Sequence, residues 1–339
     1  MNTPPVDIDA VERAAGILRS GGLVAVPTET VYGLAADAEN EAAVRALFAA
    51  KGRPTDHPVI VHINGVEEIH QWAQAPPSAL TLAHALWPGP LTLVLKRTER
   101  AKDFVTGGQD TVALRAPSHL WMRALLREFG GALAAPSANS FGRISPTTAQ
   151  HVADDLGLKP RGKIDLVIDG GACTVGIEST IVDLSGAAPT LLRPGSITRE
   201  RLQRTLGVPV LDADERAPRA SGRLEKHYAP RTPLTLMAAA PLAARLAQSG
   251  SERLALLAPL NALQSCRASV VVAIAAAEHA DEYARQLYAH MHRLDMAGAD
   301  RIVIAAPPAG PQWDAIRDRL RRAEAGTSKG NFAGLRERL

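Results

Sequence analysis

Several stretches of this chain hold side chains that a hydrophobic core has little use for. Val26-Pro27-Thr28-Glu29-Thr30-Val31-Tyr32-Gly33-Leu34 sets threonines, a glutamate, a tyrosine and a glycine directly after a short apolar run. Loops that follow strands are where α/β folds place ligands. Lys51-Gly52-Arg53-Pro54 ends an amphipathic segment with two cations. Such cations complement a helix dipole, yet Gly52 and Pro54 shape a loop that also fixes them. Arginine offers a planar fork and lysine a point charge, a pair suited to a polyphosphate. Ser137-Ala138-Asn139, behind Pro136, reads either as an Asx or Ser turn or as ligands for a phosphate or sugar. Ser145, before Pro146, is a helix cap or an anion ligand. Glu178-Ser179-Thr180 opens an apolar run, and Arg193-Pro194-Gly195 closes one with a fixed cation. His62, inside the apolar run 59–63, is a satisfied core histidine or a pocket group.

Other chemistries are disfavoured. Gly171 and Gly176 have P-loop spacing, but Ile177-Glu178 stands where the Lys and Ser/Thr are needed, and no G-x-G-x-x-G follows a strand. His290 and His292 lie two apart on an expected helix and face different sides, so no metal site is expected.

Periodicity predicts the elements that must position these groups. Asp7 or Asp9 caps a first helix with Ile8, Val11, Ala15 and Leu18 on one face, stopped by Gly21-Gly22. A strand over 23–26 leads into the loop 27–34. Asn40 caps a second helix, with Val44, Leu47 and Phe48 inward, that delivers Lys51 and Arg53. Strands over 59–63, 92–96, 111–116, 132–135, 166–169, 179–183 and 190–193 alternate with helices around 78–86, 121–129 and 198–206. Together these make a first domain, 1–206.

Residues 207–233 have few periodic apolar positions and several Pro, Gly, Arg and Asp, the composition of a linker. A second βα pattern fills 234–339, with strands over 234–237, 254–258, 270–274 and 301–305. Its helices fall over 241–248, 280–297 and 313–325, and 326–339 reads as frayed. A small three-layer α/β domain is expected there.

With 339 residues, 46% of them hydrophobic and 22% charged, the composition is that of a globular protein, and the length suggests two domains. A net charge of +3 is compatible with a phosphate-bearing ligand or RNA, without requiring either. Aromatic residues at 4% give no base-stacking platform. Cys173 and Cys266 lie far apart, which fits a reduced, cytoplasmic setting. The polar N-terminal stretch is unlike a signal peptide, and no apolar run approaches the roughly 20 residues of a membrane span. Polar and cationic groups gathered at strand ends favour a pocket for a small anionic ligand.

The same segments, in the same order, resemble a known family. Pro27–Leu34, Lys51-x-Arg53-Pro54, Pro136-Ser137-Ala138-Asn139, Glu178-Ser179-Thr180 and Leu192-Arg193-Pro194-Gly195 are similar to the YrdC-like domain. Ser221-Gly222, His227-Tyr228-Ala229-Pro230 and the second α/β unit resemble the two-domain L-threonylcarbamoyladenylate synthases. The resemblance implies a twisted mixed-sheet YrdC-like domain followed by a smaller three-layer, Rossmann-like α/β domain. It also implies an enzyme that joins L-threonine, bicarbonate and ATP into threonylcarbamoyl-AMP, releasing pyrophosphate. That product would feed threonylcarbamoyl modification of adenosine 37 in tRNA through separate transfer proteins.

By matching position, Lys51, Arg53, Ser137, Asn139, Ser145 and Arg193 would hold ATP, with Thr111 and His57 nearby and Tyr228 closing over the nucleotide as part of a lid. Lys51 and Arg53 would be catalytic. Thr30, His62, Arg115, Ala135 through its backbone, and Ser179 would hold threonine. Magnesium would arrive with ATP. Two positions depart from the family pattern: Ala220-Ser221-Gly222 where linkers often read Ser/Ala-Pro-Gly, and His57 where other members carry Asn. An RNA-binding module would need a steep salt dependence. A carbamoyl-transfer domain of the hydrogenase-maturation kind would carry zinc-finger Cys-x-x-Cys pairs, which this chain lacks.

Overall fold

The computed structural model describes residues 4–238, 242, 251–264 and 270–327. Asp7 caps α1 (Ile8–Arg19) by accepting from the Asp9 and Ala10 amides. The buried face of α1 is Val11, Ala14, Ala15 and Leu18. Ile8, expected on that face, is 61% exposed, because it sits in the first turn, ahead of the buried patch. Next come β1 (Val24–Val26), β2 (Gly33–Asp37) and α2 (Glu41–Lys51). Asn40 caps α2 as expected, and Gly52 ends it in the left-handed conformation at φ 64°, which a glycine adopts at no steric cost. That stop fixes where Lys51 and Arg53 leave the helix.

The first part continues through β3 (Ile60–His62), α3 (Ile69–Trp72), α4 (Pro77–Leu86), β4 (Leu91–Lys96), α5 (Asp103–Thr106) and β5 (Thr111–Arg115). Then follow α6 (Leu120–Phe129), β6 (Leu133–Ala134), α7 (Ala149–Asp155), β7 (Leu166–Val167), β8 (Thr180–Asp183), β9 (Thr190–Arg193) and α8 (Arg199–Leu206). Within 207–233, β10 (Leu211–Asp212) pairs with β9. The second part holds β11 (Leu234–Met237), β12 (Leu254–Ala258), α9 (Leu260–Gln264), β13 (Val270–Ala275), α10 (Ala280–Asp295), β14 (Arg301–Ala305) and α11 (Asp314–Thr327).

Strands β1–β10 form one mixed sheet in the order β10-β9-β8-β4-β5-β3-β6-β2-β1-β7, and β11-β14-β12-β13 form a second sheet that is wholly parallel. The large sheet is thus not an open parallel sheet with all its ligand groups past carboxyl ends. Arg193 closes β9, whereas Ser179 precedes the amino end of the antiparallel β8, and the two meet at one edge.

Some elements escaped the sequence reading. The loop 27–34 connects an antiparallel pair, with Val26 opposite Gly33. Strand β2 is Gly33-Leu34-Ala35-Ala36-Asp37, its first four residues buried in succession, so no alternation marks it. Short α7 rests on its Thr148 cap, and α9 was likewise unanticipated. The helix expected over 241–248 lies outside the described residues, except that Leu242 is helical and buried. The fraying expected from 326 is contradicted for Gly326 and Thr327, which continue α11; the Thr327 hydroxyl accepts from the Leu234 amide and ties that end to β11.

The core is continuous between the two parts. Val31, Ile144, Ile177 and Tyr228 pack in one cluster with Leu287, Tyr288, Met291, Trp313 and Leu320 of the second part. No described helix is long and apolar enough to cross a membrane.

Candidate functional site

Lys51 ends α2 with its ammonium nearly buried, and its Nζ donates to the Ser137 and Asn139 carbonyls, each at 2.5 Å. Burial first, and the neighbouring Arg53 second, hold its pKa well below the ordinary lysine range. The ammonium therefore shapes the Ser137–Asn139 turn from beneath. Asn139 Nδ2 donates to the Ser140 and Arg143 carbonyls, both at 2.9 Å.

Arg53 lies beyond the Gly52 cap. Its Nη2 donates to the Pro58 carbonyl at 2.7 Å and to Ser221 Oγ at 3.2 Å, and its guanidinium stands 5.5 Å above the Phe141 ring. Burial lowers its pKa to about 10. His57 meets the same ring edge-on at 5.4 Å. Arg193 donates from Nε and Nη2 to the Ser179 carbonyl at 3.1 and 2.9 Å, and from Nη1 to the Ser221 carbonyl at 2.9 Å. Ser221, at the departure from the family linker, thus engages both arginines.

Tyr228 is buried at a left-handed φ of 60°, a costly conformation for a non-glycine residue. Gly222, at φ +78°, makes room for it: a Cβ there would stand 2.2 Å from Tyr228 Oη and 2.9 Å from Arg193 Nη1. Lys51, Arg53, His57, Ser137, Asn139, Arg193 and Tyr228 are therefore linked, directly or through Phe141, Ser221 and Gly222. Buried polar atoms are nearly always paired. Arg53 Nε, Asn139 Oδ1, His227 Nδ1 and Tyr228 Oη are buried without a hydrogen-bond partner.

A second group stands beside the first. Arg115, the last residue of β5, donates from Nη1 to Thr30 Oγ1 at 2.9 Å and from Nε to the Gly89 carbonyl at 3.2 Å, and its Nη2 lies 2.6 Å from Glu29 Oε1. Both members of that ion pair are buried. Thr28 Oγ1 lies 2.8 Å from Thr30 Oγ1 and donates to or accepts from the turn backbone at Val31, which stiffens the loop. His62 is the register partner of Arg115 on β3. Burial, then Arg115, lowers its pKa to about 3, so it is neutral at pH 7. The Ala135 amide is spent on the Ile60 carbonyl at 3.1 Å.

Two candidates stand differently from the rest of their groups. Ser179 Oγ lies 2.7 Å from Thr92 Oγ1 and 3.2 Å from Arg193 Nη2, which places it between the two groups. Thr111 is buried at the start of β5, and no side-chain hydrogen bond joins it to the other candidates among the described residues.

Ser145 leads to groups that sequence reasoning missed. Its hydroxyl donates to Glu178 Oε1 at 2.6 Å, and Glu178 Oε2 accepts from Arg319 Nε at 2.8 Å and Tyr288 Oη at 2.9 Å. Burial alone would raise the Glu178 pKa, but Arg319 and Arg193 outweigh it and bring it to about 2. Arg319 and Tyr288 sit on helices whose apolar period reads as plain core. The only signal available was an arginine in phase with the buried stripe of Ile316, Leu320 and Ala323.

Cations and hydroxyls set into a mixed sheet, beside Tyr228 from the segment 207–233, make an arrangement able to hold an anionic group by position and charge. Residues 16–195 match a family model described as Telomere recombination, and residues 197–325 match one described as Threonylcarbamoyl-AMP synthase, C-terminal domain. The chain belongs to the threonylcarbamoyl-AMP synthase family. The enzyme of that name from Pyrococcus abyssi is 37% identical over 325 residues, 91% of this chain and 92% of the relative. The one from Bacillus subtilis is 37% identical over 327 residues, 93% of each. Sua5 of P. abyssi, solved in complex with L-threonine, superposes with a TM-score of 0.86 at 35% identity, covering 96% of each chain.

Proposed function

We propose that this chain makes threonylcarbamoyl-AMP from L-threonine, bicarbonate and ATP, in a pocket divided between the two groups of side chains. The observation that supports the division is the difference in charge: Lys51, Arg53 and Arg193 gather around the Ser137–Asn139 turn and Ser221, whereas Arg115 is already paired with Glu29 at 2.6 Å. Lys51, Arg53, Ser137, Asn139, Ser145 and Arg193 take the nucleotide, with His57 and Thr111 at its margin. Thr30, His62, Arg115, Ala135 and Ser179 take threonine, with the fixed Arg115 fork on the carboxylate and the Ala135 carbonyl toward the amine.

The threonine amine attacks bicarbonate and water leaves, giving a carbamate. A carbamate oxygen then attacks the α-phosphorus of ATP, and the bond to the pyrophosphate oxygen breaks. No enzyme nucleophile is needed. Arg53 and Arg193 offset charge on the departing pyrophosphate, and Lys51 holds the Ser137–Asn139 turn that positions the phosphates.

Among the described residues no group of three or more His, Cys, Asp or Glu could hold a metal. Magnesium would arrive on the triphosphate, where it would supply charge neutralisation. Residues 207–233 act as the lid, with Tyr228 as its inner face, between domains 1–206 and 234–339. The product passes to tRNA threonylcarbamoyl-transfer proteins in the cytoplasm.

Pyrophosphate release from ATP tests the reading. It should require both L-threonine and bicarbonate and fall at least about a hundredfold in Arg53→Ala, the scale expected for loss of one charge-stabilising group. Release that ignores threonine would overturn it, and tight tRNA binding without turnover would favour an RNA-binding module.

A further inference from the structure

The second part of the chain does more than fill space behind the linker. Arg319, on α11, is fully buried, and its guanidinium contacts Glu178 Oε2 at 2.8 Å, Asp318 Oδ2 at 2.9 Å and the Pro194 carbonyl at 3.0 Å. It also stands 5.3 Å from the Tyr228 ring centre. Tyr288, on α10, donates to Glu178 as well, at 3.1 and 2.9 Å to its two oxygens. His292, one turn further along α10, places Nε2 3.2 Å from the Ser145 carbonyl.

These contacts converge. Ser145 is gripped at its hydroxyl through Glu178 and at its carbonyl by His292. Pro194 follows Arg193, and Glu178 precedes Ser179. A buried arginine whose partner is removed leaves an uncompensated charge, so such networks hold one geometry strongly. Burying Arg319 and Glu178 also carries a desolvation cost that apolar side chains would avoid, so stability alone does not explain them.

We infer that Arg319 and Tyr288 are positioning residues for the nucleotide half of the site, acting through Glu178 on Ser145, Arg193 and Tyr228. The inference rests on the reading of that half as the ATP side. By this geometry the second domain clasps the nucleotide half through a buried charge network, while it reaches the threonine half only by packing on Val31 and through Ser179, which follows Glu178.

Steady-state pyrophosphate release with Arg319→Met, Arg319→Lys and Tyr288→Phe in the full chain tests this, with Arg53→Ala run beside them. Arg319→Met should raise the KM for ATP about tenfold or more and that for threonine less than about twofold, a scale set by breaking one buried charge pair. Arg319→Lys should recover part of the loss, because it restores the charge but not the fork. Tyr288→Phe removes one hydroxyl and keeps the packing, so it reports even if Arg319→Met fails to fold; a rise of about tenfold in the ATP KM is expected from one hydrogen bond to a charged group. Equal changes in both KM values, or none in Tyr288→Phe and Arg319→Lys while Arg53→Ala is inactive, would overturn the inference and leave the proposed activity standing. Full activity in Arg53→Ala would instead overturn the nucleotide assignment itself.

Discussion

At the scale of single residues, the ion pair between Glu29 and Arg115 explains why a glutamate would belong in the proposed amino-acid half of the pocket. It fixes the arginine fork and neutralises one unit of charge, so the fork recognises a carboxylate by geometry. Thr30, bonded to the same guanidinium, belongs to this half. Thr30→Ala should therefore raise the KM for threonine about fivefold or more and that for ATP little, the cost of an unpaired buried donor. Initial-rate measurements with each substrate varied in turn check this, and equal effects would refute the division. The motif 27–34 was legible as polar residues after an apolar run. Lys51 was legible as a cation that a loop fixes at a helix end, but not as a group buried beneath the turn it shapes, because that depends on where the Ser137 and Asn139 carbonyls fall in space.

At the scale of elements, the sequence showed what caps and periods encode. Asn40, the α2 face and Gly52 together place Lys51, and each was readable. Strand β2 was not, because residues buried on both faces leave no period. Close approaches were also invisible. Gly176, at φ +81°, lets its loop lie against α10, where a Cβ would stand 2.4 Å from the Arg285 Cα and carbonyl oxygen. Gly176→Ala must push backbone from backbone and force a left-handed conformation on alanine. It should lower stability by about 2 kcal/mol or more, combining strain with overpacking, as measured by denaturant unfolding.

At the scale of the whole molecule, buried histidines set an acid limit. His62, His151 and His227 have pKa values lowered to about 3, 4 and 3, each by burial first and then by a neighbouring cation or histidine. A histidine held neutral when folded binds its proton more readily when unfolded. Its contribution is complete above the unfolded value near 6.5 and is lost as pH falls toward the folded value. Each such group should remove about 1.4 kcal/mol per pH unit below that point. Thermal melting between pH 7 and pH 4.5 should show a steep fall, and His62→Gln should flatten it. His151 stacks on His292 at 3.9 Å between α7 and α10, so contact between the two parts should weaken over the same range. The second sheet itself was legible as a βα unit, but its reach into the first domain was not. A buried arginine among apolar helix positions has no meaning until its partner, far away in sequence, is known.

The position of Arg319 has a consequence for synthesis. Every segment of the proposed nucleotide half, from Lys51 through Ser145 and Arg193 to Tyr228, is translated before the helix that carries this arginine. A first domain that folds as it emerges from the ribosome must therefore hold the Glu178 carboxylate with Arg193 nearby but without its direct partner Arg319 until α11 arrives. A message truncated after the linker would yield chains in which Glu178 and Ser145 lack the clasp of Arg319, Tyr288 and His292.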